Sequence, residues 1–271
     1  MAHPQIAAFP RLAEANAQPT RSIAGQKTLI TRTIHDMSYD PIRDEIVVPQ
    51  FYAQAIMTYR GDATGDVPPV RIIRGPSTQI TNPDRITLDP INNEIYVPQD
   101  ERILVFPRDG QGDVAPIRII EGPEVISSAI AVDPISNLLI TTGAAPRNVD
   151  GSRGGGQISI FNRTDRGTVK PLRVIRGPRT GMERAQLVAV HPPRGFILAG
   201  APSNRNTGTQ NFVGVWSVHD NGDVPPRWTI GGPNAVLRQV RGITLDPEHK
   251  NVIVSDKYLN AILTFNFPEI F

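Results

Sequence analysis

The sequence predicts an all-β fold, a β-propeller of four-stranded antiparallel blades. Three observations predict it. Four short strand signals recur in a fixed order about five times along 271 residues. Pro (26) and Gly (23) are abundant without collagen spacing, which means many turns and hence many short strands. No segment carries the 3.6-residue apolar period of a good helix.

The first signal is an apolar strand ending in Asp-Pro, at 37–41 (MSYDP), 86–90 (ITLDP), 130–134 (IAVDP), 188–192 (VAVHP) and 243–247 (ITLDP). A tight turn follows. The second signal is EIVVPQ (45–50), EIYVPQ (94–99), LLITTG (138–143), FILAGA (196–201) and NVIVSD (251–256). The third is AIMTYR (55–60), RILVFPR (102–108), QISIFNR (157–163), FVGVWSV (212–218) and AILTFNF (261–267). The fourth follows a Gly-Asp type of turn and reads P-x-R-x-I-x-G, carried by Arg71, Arg118, Arg173 and, with a shorter gap, Arg227. Each stretch is short, rich in β-branched or aromatic residues and bounded by turn residues, as strands are. Four strands per repeat, with Asp40, Asp89, Asp133, His191 and Asp246 spaced by 44 to 58 residues, read as one blade each.

The N-terminal stretch repeats the third and fourth signals, with Arg21 at the Arg position, while the C-terminus stops after a third. The expectation is one domain over 1–271. In it, strands within 1–33 complete the last blade beside 261–267, and 34–271 carry the repeats. That pairing of N- and C-terminal strands would close the ring and remove an open sheet edge. Ile6–Arg11 is then a strand too many, so five blades are expected, with six as the alternative. One Arg per blade at one position is expected to pair with an acid of its own repeat, such as the Asp-Pro aspartate.

Composition narrows the function classes. There are no cysteines, which excludes disulfides, thiolate metal sites and a Cys nucleophile. The net charge is +2, 26 acids nearly balance 28 basic residues and basic runs are missing, so a nucleic-acid partner is not expected. No apolar run approaches the roughly 20 residues that span a bilayer. The first 20 residues lack the apolar core of a signal peptide. The expectation is an extracytoplasmic protein whose signal has been removed, ahead of a cytoplasmic one.

The P-x-R-x-I-x-G, I-x-x-D-P and I-x-V-F elements resemble the repeats of NHL-type propellers and their relatives in the gluconolactonase and strictosidine-synthase superfamily. The resemblance covers nearly the whole chain. It implies a propeller fold and a range of activities from RNA and protein binding to lactone hydrolysis and lyase chemistry. The enzymes of that group hold Ca²⁺ or another divalent ion over the central channel through Glu, Asn and Asp.

Strand order assigns the turns to two faces. Those between strands one and two, and three and four, are nearly uniform (GDVAP against GDVPP) and share one face. The opposite face carries two long loops, 143–157 and 200–211, where binding residues are expected: Asn148, Asp150, Asn204 and Arg205. Two residues before each first strand stand His35, Asp84, Ser128, Gln186 and Arg241. Five polar groups there would ring the channel mouth and floor a pocket for a small polar ligand.

No nucleophile elbow, zinc-protease helix motif or Walker loop is present. Arg60-Gly61-Asp62 spells an adhesion tripeptide but aligns with a turn. The function expected is therefore non-catalytic: a binding propeller for a protein, a glycan or a small anion, with no cofactor. The alternative is a metal-assisted lactonase, hydrolase or lyase, with a divalent ion at Asp84 and Asp150 and His35 moving the proton.

Overall fold

A computed structural model describes residues 4–32, 34–125, 128–147, 149, 151, 154–201 and 211–271. Every strand expected from the repeat is present. A hairpin of β1 (Gln5–Ala8) and β2 (Arg21–Ala24) comes first. The first blade is β3 (Ser38–Asp40), β4 (Glu45–Gln50), β5 (Ala55–Arg60) and β6 (Arg71–Ile73). The second is β7 (Thr87–Asp89), β8 (Glu94–Gln99), β9 (Arg102–Pro107) and β10 (Arg118–Glu121). The third is β11 (Ala129–Asp133), β12 (Leu138–Ala144), β13 (Gly156–Asn162) and, after the two-residue β14 (Gly167–Thr168), β15 (Arg173–Arg176). The fourth is β16 (Leu187–His191), β17 (Phe196–Ala201), β18 (Phe212–Ser217) and β19 (Trp228–Gly231). The fifth is β20 (Val240–Asp246), β21 (Asn251–Asp256) and β22 (Ala261–Asn266). Blade strands pair in chain order, so the fold is a five-bladed β-propeller. By packing the chain divides into Met1–Gln99 with Leu104–Ile117, and Asp100–Ile103 with Arg118–Phe271.

The second strands of the first four blades lie mid-blade and are covered on both faces, which is why they read as continuous apolar runs. β8 is buried at all six positions. Pro49 and Pro98 sit inside β4 and β8, where a missing N–H would break a ladder. The first strand stops short of each. β3 pairs only with Glu45–Val47, and β7 only with Glu94–Tyr96. In blades three to five the corresponding residues are Thr142, Gly200 and Ser255, and the ladder runs through them. Two prolines thus release the chain ahead of β3 and β7 from sheet pairing.

The uniform turns clasp successive blades. Gly65, Gly112 and Gly222 form parallel bridges to Ile23 of β2, Ile73 of β6 and Ile175 of β15. The Asp after each glycine reaches further: Asp66, Asp113 and Asp223 accept the backbone N–H of Lys27, Ser77 and Arg179 at 2.7, 2.7 and 2.8 Å. These carboxylates rest on Gly25, Gly75 and Gly177, where a Cβ would stand 2.4 Å from the carboxyl carbon. This contact accounts for the glycine that ends P-x-R-x-I-x-G. Between blades two and three Thr168 takes the Asp position, and β14 pairs with Ile120 and Glu121 instead.

One expectation is corrected in part. Arg71 and Arg227 pair with acids of their own repeat, Glu45 and Asp220, but these are not the Asp-Pro aspartates. Asp40, Asp89 and Asp133 each accept two backbone N–H groups of their own turn, at 2.9–3.2 Å. Arg71 binds Glu45 at 2.5 Å, sharing that carboxylate with Arg108 at 2.6 Å. Arg173 donates to the Val218 carbonyl, and Arg227 to Asp220. An aspartate in a tight turn is consumed locally before a distant arginine can use it.

β2 pairs with β1 from Gln5↔Ala24 to Ala8↔Arg21, in a sheet of their own. The sheet of the fifth blade has three strands, β20-β21-β22. β1 is the nearest strand to β2 in sequence, and closing a short loop costs least.

Candidate functional site

The released segments ahead of β3 and β7 carry the residues of interest, and in the first unit these two strands lie against each other. His35 Nδ1 contacts Asp84 Oδ1. With the carboxylate ionised, Nδ1 carries the proton and Nε2 is left as the second functional atom. Both side chains reach solvent, at 54% and 44% exposure. Arg85 is turned inward. Its Nη1 donates to the His35 carbonyl at 3.0 Å, and its Nε stands 3.7 Å from Asp84 Oδ2.

Asp36 is the third acid–base group. Its Oδ1 accepts Met37 N–H at 3.0 Å and its Oδ2 accepts Ile86 N–H at 3.2 Å. Burial pushes its pKa up from the ordinary 3.8. Arg85 and the two N–H donors pull the other way, and Asp84 adds to the rise. Ser38 Oγ accepts Leu88 N–H at 3.2 Å. Side chains of one first strand thus satisfy the backbone of the next, which the alternation of Asp36 and Ser38 signalled without being recognised.

The second unit places the other predicted residues separately. Ser128 is exposed and its N–H binds the Thr142 carbonyl at 2.7 Å. Gln186 is half-buried, with its N–H 3.4 Å from the Gly200 carbonyl. Arg241 is exposed at a β-bulge. The β20–β21 register shifts between Val240 and Gly242, leaving Arg241 as the extra residue. A bulge re-aims its side chain, and nothing in a single strand's sequence announces it. β16 lies between β11 and β20, so these three residues precede or begin neighbouring first strands. Asn148, Asp150, Asn204 and Arg205 fall outside the described residues.

The adhesion-like tripeptide and the histidine that replaces an Asp-Pro aspartate have structural accounts. Arg60 and Asp62 bind each other through two hydrogen bonds of 2.8 and 2.6 Å, which folds the tripeptide onto itself. His191 is buried against the Phe271 ring, with centroids 4.9 Å apart; burial, then Arg194, lowers its pKa. Among the described residues no helix is long and apolar enough to cross a membrane.

Fold and site together define a β-propeller with a polar cluster ahead of its first strands. No family model matches the chain, and no curated protein matches it. Among solved structures, hydrazine synthase of Kuenenia stuttgartiensis is similar over 91% of this chain, with a TM-score of 0.58 and 10% identity. The chain spans 58% of that protein's length. At this identity the likeness is one of fold alone.

Proposed function

We propose that this protein is a non-catalytic binding propeller that holds a small polar or anionic ligand at the end bearing His35 and Asp84. The observation that carries this reading is the contact between His35 and Asp84, made across two blades at a surface the fold leaves open. A fixed imidazole whose Nε2 accepts when neutral and donates when protonated suits a hydroxyl, carboxylate or phosphate group. The repeat motifs support an NHL-type affiliation. A protein or glycan partner at loops 143–157 and 200–211 belongs to the same reading.

The test is imidazole ¹⁵N NMR on the full chain, titrated separately with inorganic phosphate, citrate and glucose. Saturable movement of the His35 signals by one of them is expected, weakened about tenfold by Asp84→Asn. No response of His35 to any of the three would refute the reading.

The enzyme reading also has an observation in its favour, since an Asp–His contact fixes the tautomer that proton transfer requires. The residues do not fit a divalent ion at Asp84. One of its oxygens carries His35, and the other faces a guanidinium. Among the described residues, no three His, Cys, Asp or Glu side chains gather to hold one. Hydrolysis of simple γ- or δ-lactones that is lost in His35→Ala would favour the enzyme.

A further inference from the structure

The imidazole of His35 is held by one nitrogen. Nδ1 contacts Asp84 Oδ1, and the backbone beside it is pinned to the segment ahead of β7. Arg85 Nη1 donates to the His35 carbonyl at 3.0 Å, and Asp36 Oδ2 accepts Ile86 N–H at 3.2 Å. The ring therefore cannot offer Nδ1 to a ligand without giving up Asp84.

This orientation decides which ligand atoms Nε2 can meet. With Nδ1–H spent on an ionised Asp84, the neutral ring has only a lone pair at Nε2. A ligand hydroxyl can donate to that lone pair. A carboxylate or sulfate oxygen cannot, because it has no proton to give. An oxyanion gains a bond at Nε2 only when that nitrogen carries a proton too, which makes the ring an imidazolium. A free histidine can instead exchange tautomers; Asp84 removes that option here.

Charge points the same way. Asp84, Asp36 and Arg85 stand around His35, two carboxylates and one guanidinium. An anion arriving alone adds to the negative excess. A monoanion arriving with a proton leaves the sum unchanged.

We propose, resting on the binding reading above, that the His35–Asp84 site takes up an oxyanion together with one proton. Solvent supplies the proton, an N–H bond forms at Nε2, and the imidazolium then bridges Asp84 and the anion. Affinity for an oxyanion is set by pH, strong in mild acid and weak in mild alkali, even where the anion itself does not titrate.

The probes are sulfate and the monoanion methanesulfonate, neither of which gains a proton between about pH 5 and about pH 8, where imidazoles change charge. Imidazole ¹⁵N NMR on the full chain reads both affinity and the protonation of Nε2, and His35→Gln identifies the signals. Saturable binding is expected to weaken about tenfold per pH unit on the alkaline side, the slope that one linked proton imposes. At about pH 8 the Nε2 signal should be that of a bare nitrogen in the free protein and of a protonated one at saturation.

Equal affinity across the range, an unprotonated Nε2 at saturation, or an Nε2 already protonated without anion in mild alkali would overturn the proposal while leaving a ligand site at His35 standing. The same pH dependence in His35→Gln would overturn it by placing the linked proton elsewhere. No response of His35 to either anion at any pH would overturn it too, and the titration with phosphate, citrate and glucose then decides the binding reading on its own.

Discussion

Asp256 is the residue on which the fifth blade turns. It is 2% exposed and accepts four backbone N–H groups, from Arg238, Gln239, Tyr258 and Leu259, at 2.7–3.0 Å. Burial alone would raise its pKa; the four donors outweigh it and hold the carboxyl below 3.8. A carboxyl with a depressed folded-state pKa stabilises above its unfolded value, and that contribution fades as pH falls through the folded one. Asp256→Ala should cost about 2–4 kcal/mol at pH 7 in urea unfolding, because it strands several donors at once. The deficit should shrink as pH drops below 3.8, and a pH-independent deficit would contradict this account. Asp36 runs oppositely. Its pKa is raised, so on this count stability falls as pH climbs from 3.8 through the raised value. Denaturation of wild type and Asp36→Asn at several pH values should show the variant gaining on wild type over that window. Both aspartates and their local donors Met37, Tyr258 and Leu259 were visible in the sequence, but Ile86, Arg238 and Gln239 come from segments whose approach only folding sets.

At the scale of elements, the inter-blade clasp explains why one glycine per repeat cannot vary freely. Gly75 has φ +143 and carries the Asp113 carboxylate against its face, whereas Gly65 has φ +77 and open space around it. Gly75→Ala should therefore destabilise by about 3 kcal/mol, and Gly65→Ala by about 1 kcal/mol, the backbone strain alone. Thermal melts of the two variants would decide, and equal losses would count against the clasp. The glycine and the Gly-Asp turn are both legible in the repeat. That they touch each other is not, since they lie in successive copies. The prolines of β4 and β8 are a signal of another kind. Their effect, freeing the segments that hold His35 and Asp84, follows from one missing N–H and could have been drawn from the sequence.

For the molecule as a whole, burial sets a gradient of local stability. Every residue of β8 is buried, and so is β12 apart from its last position; the β1–β2 hairpin has one buried residue and no third strand. Isolated hairpins are marginal in water, and exchange follows local opening. Amide exchange should be slowest in β8 and β12 and fastest in β1 and β2. Uniform rates would mean that the hairpin is held more firmly than its own contacts provide.

The sequence by itself determined the strand inventory and the uniform turns, and favoured five blades over six. Those features rest on local chemistry: period-two burial, turn residues and a motif repeated every 44 to 58 residues. Tertiary structure decided which distant groups meet. It brought His35 to Asp84, spent the Asp-Pro aspartates inside their own turns, gave Glu45 two arginines and placed Arg241 on a bulge. It also paired β2 with β1 and left β22 at the edge of its sheet. The reason is physical. A strand's pattern fixes which face it buries, but its partner depends on register and competition between segments far apart in the chain, and packing alone settles that.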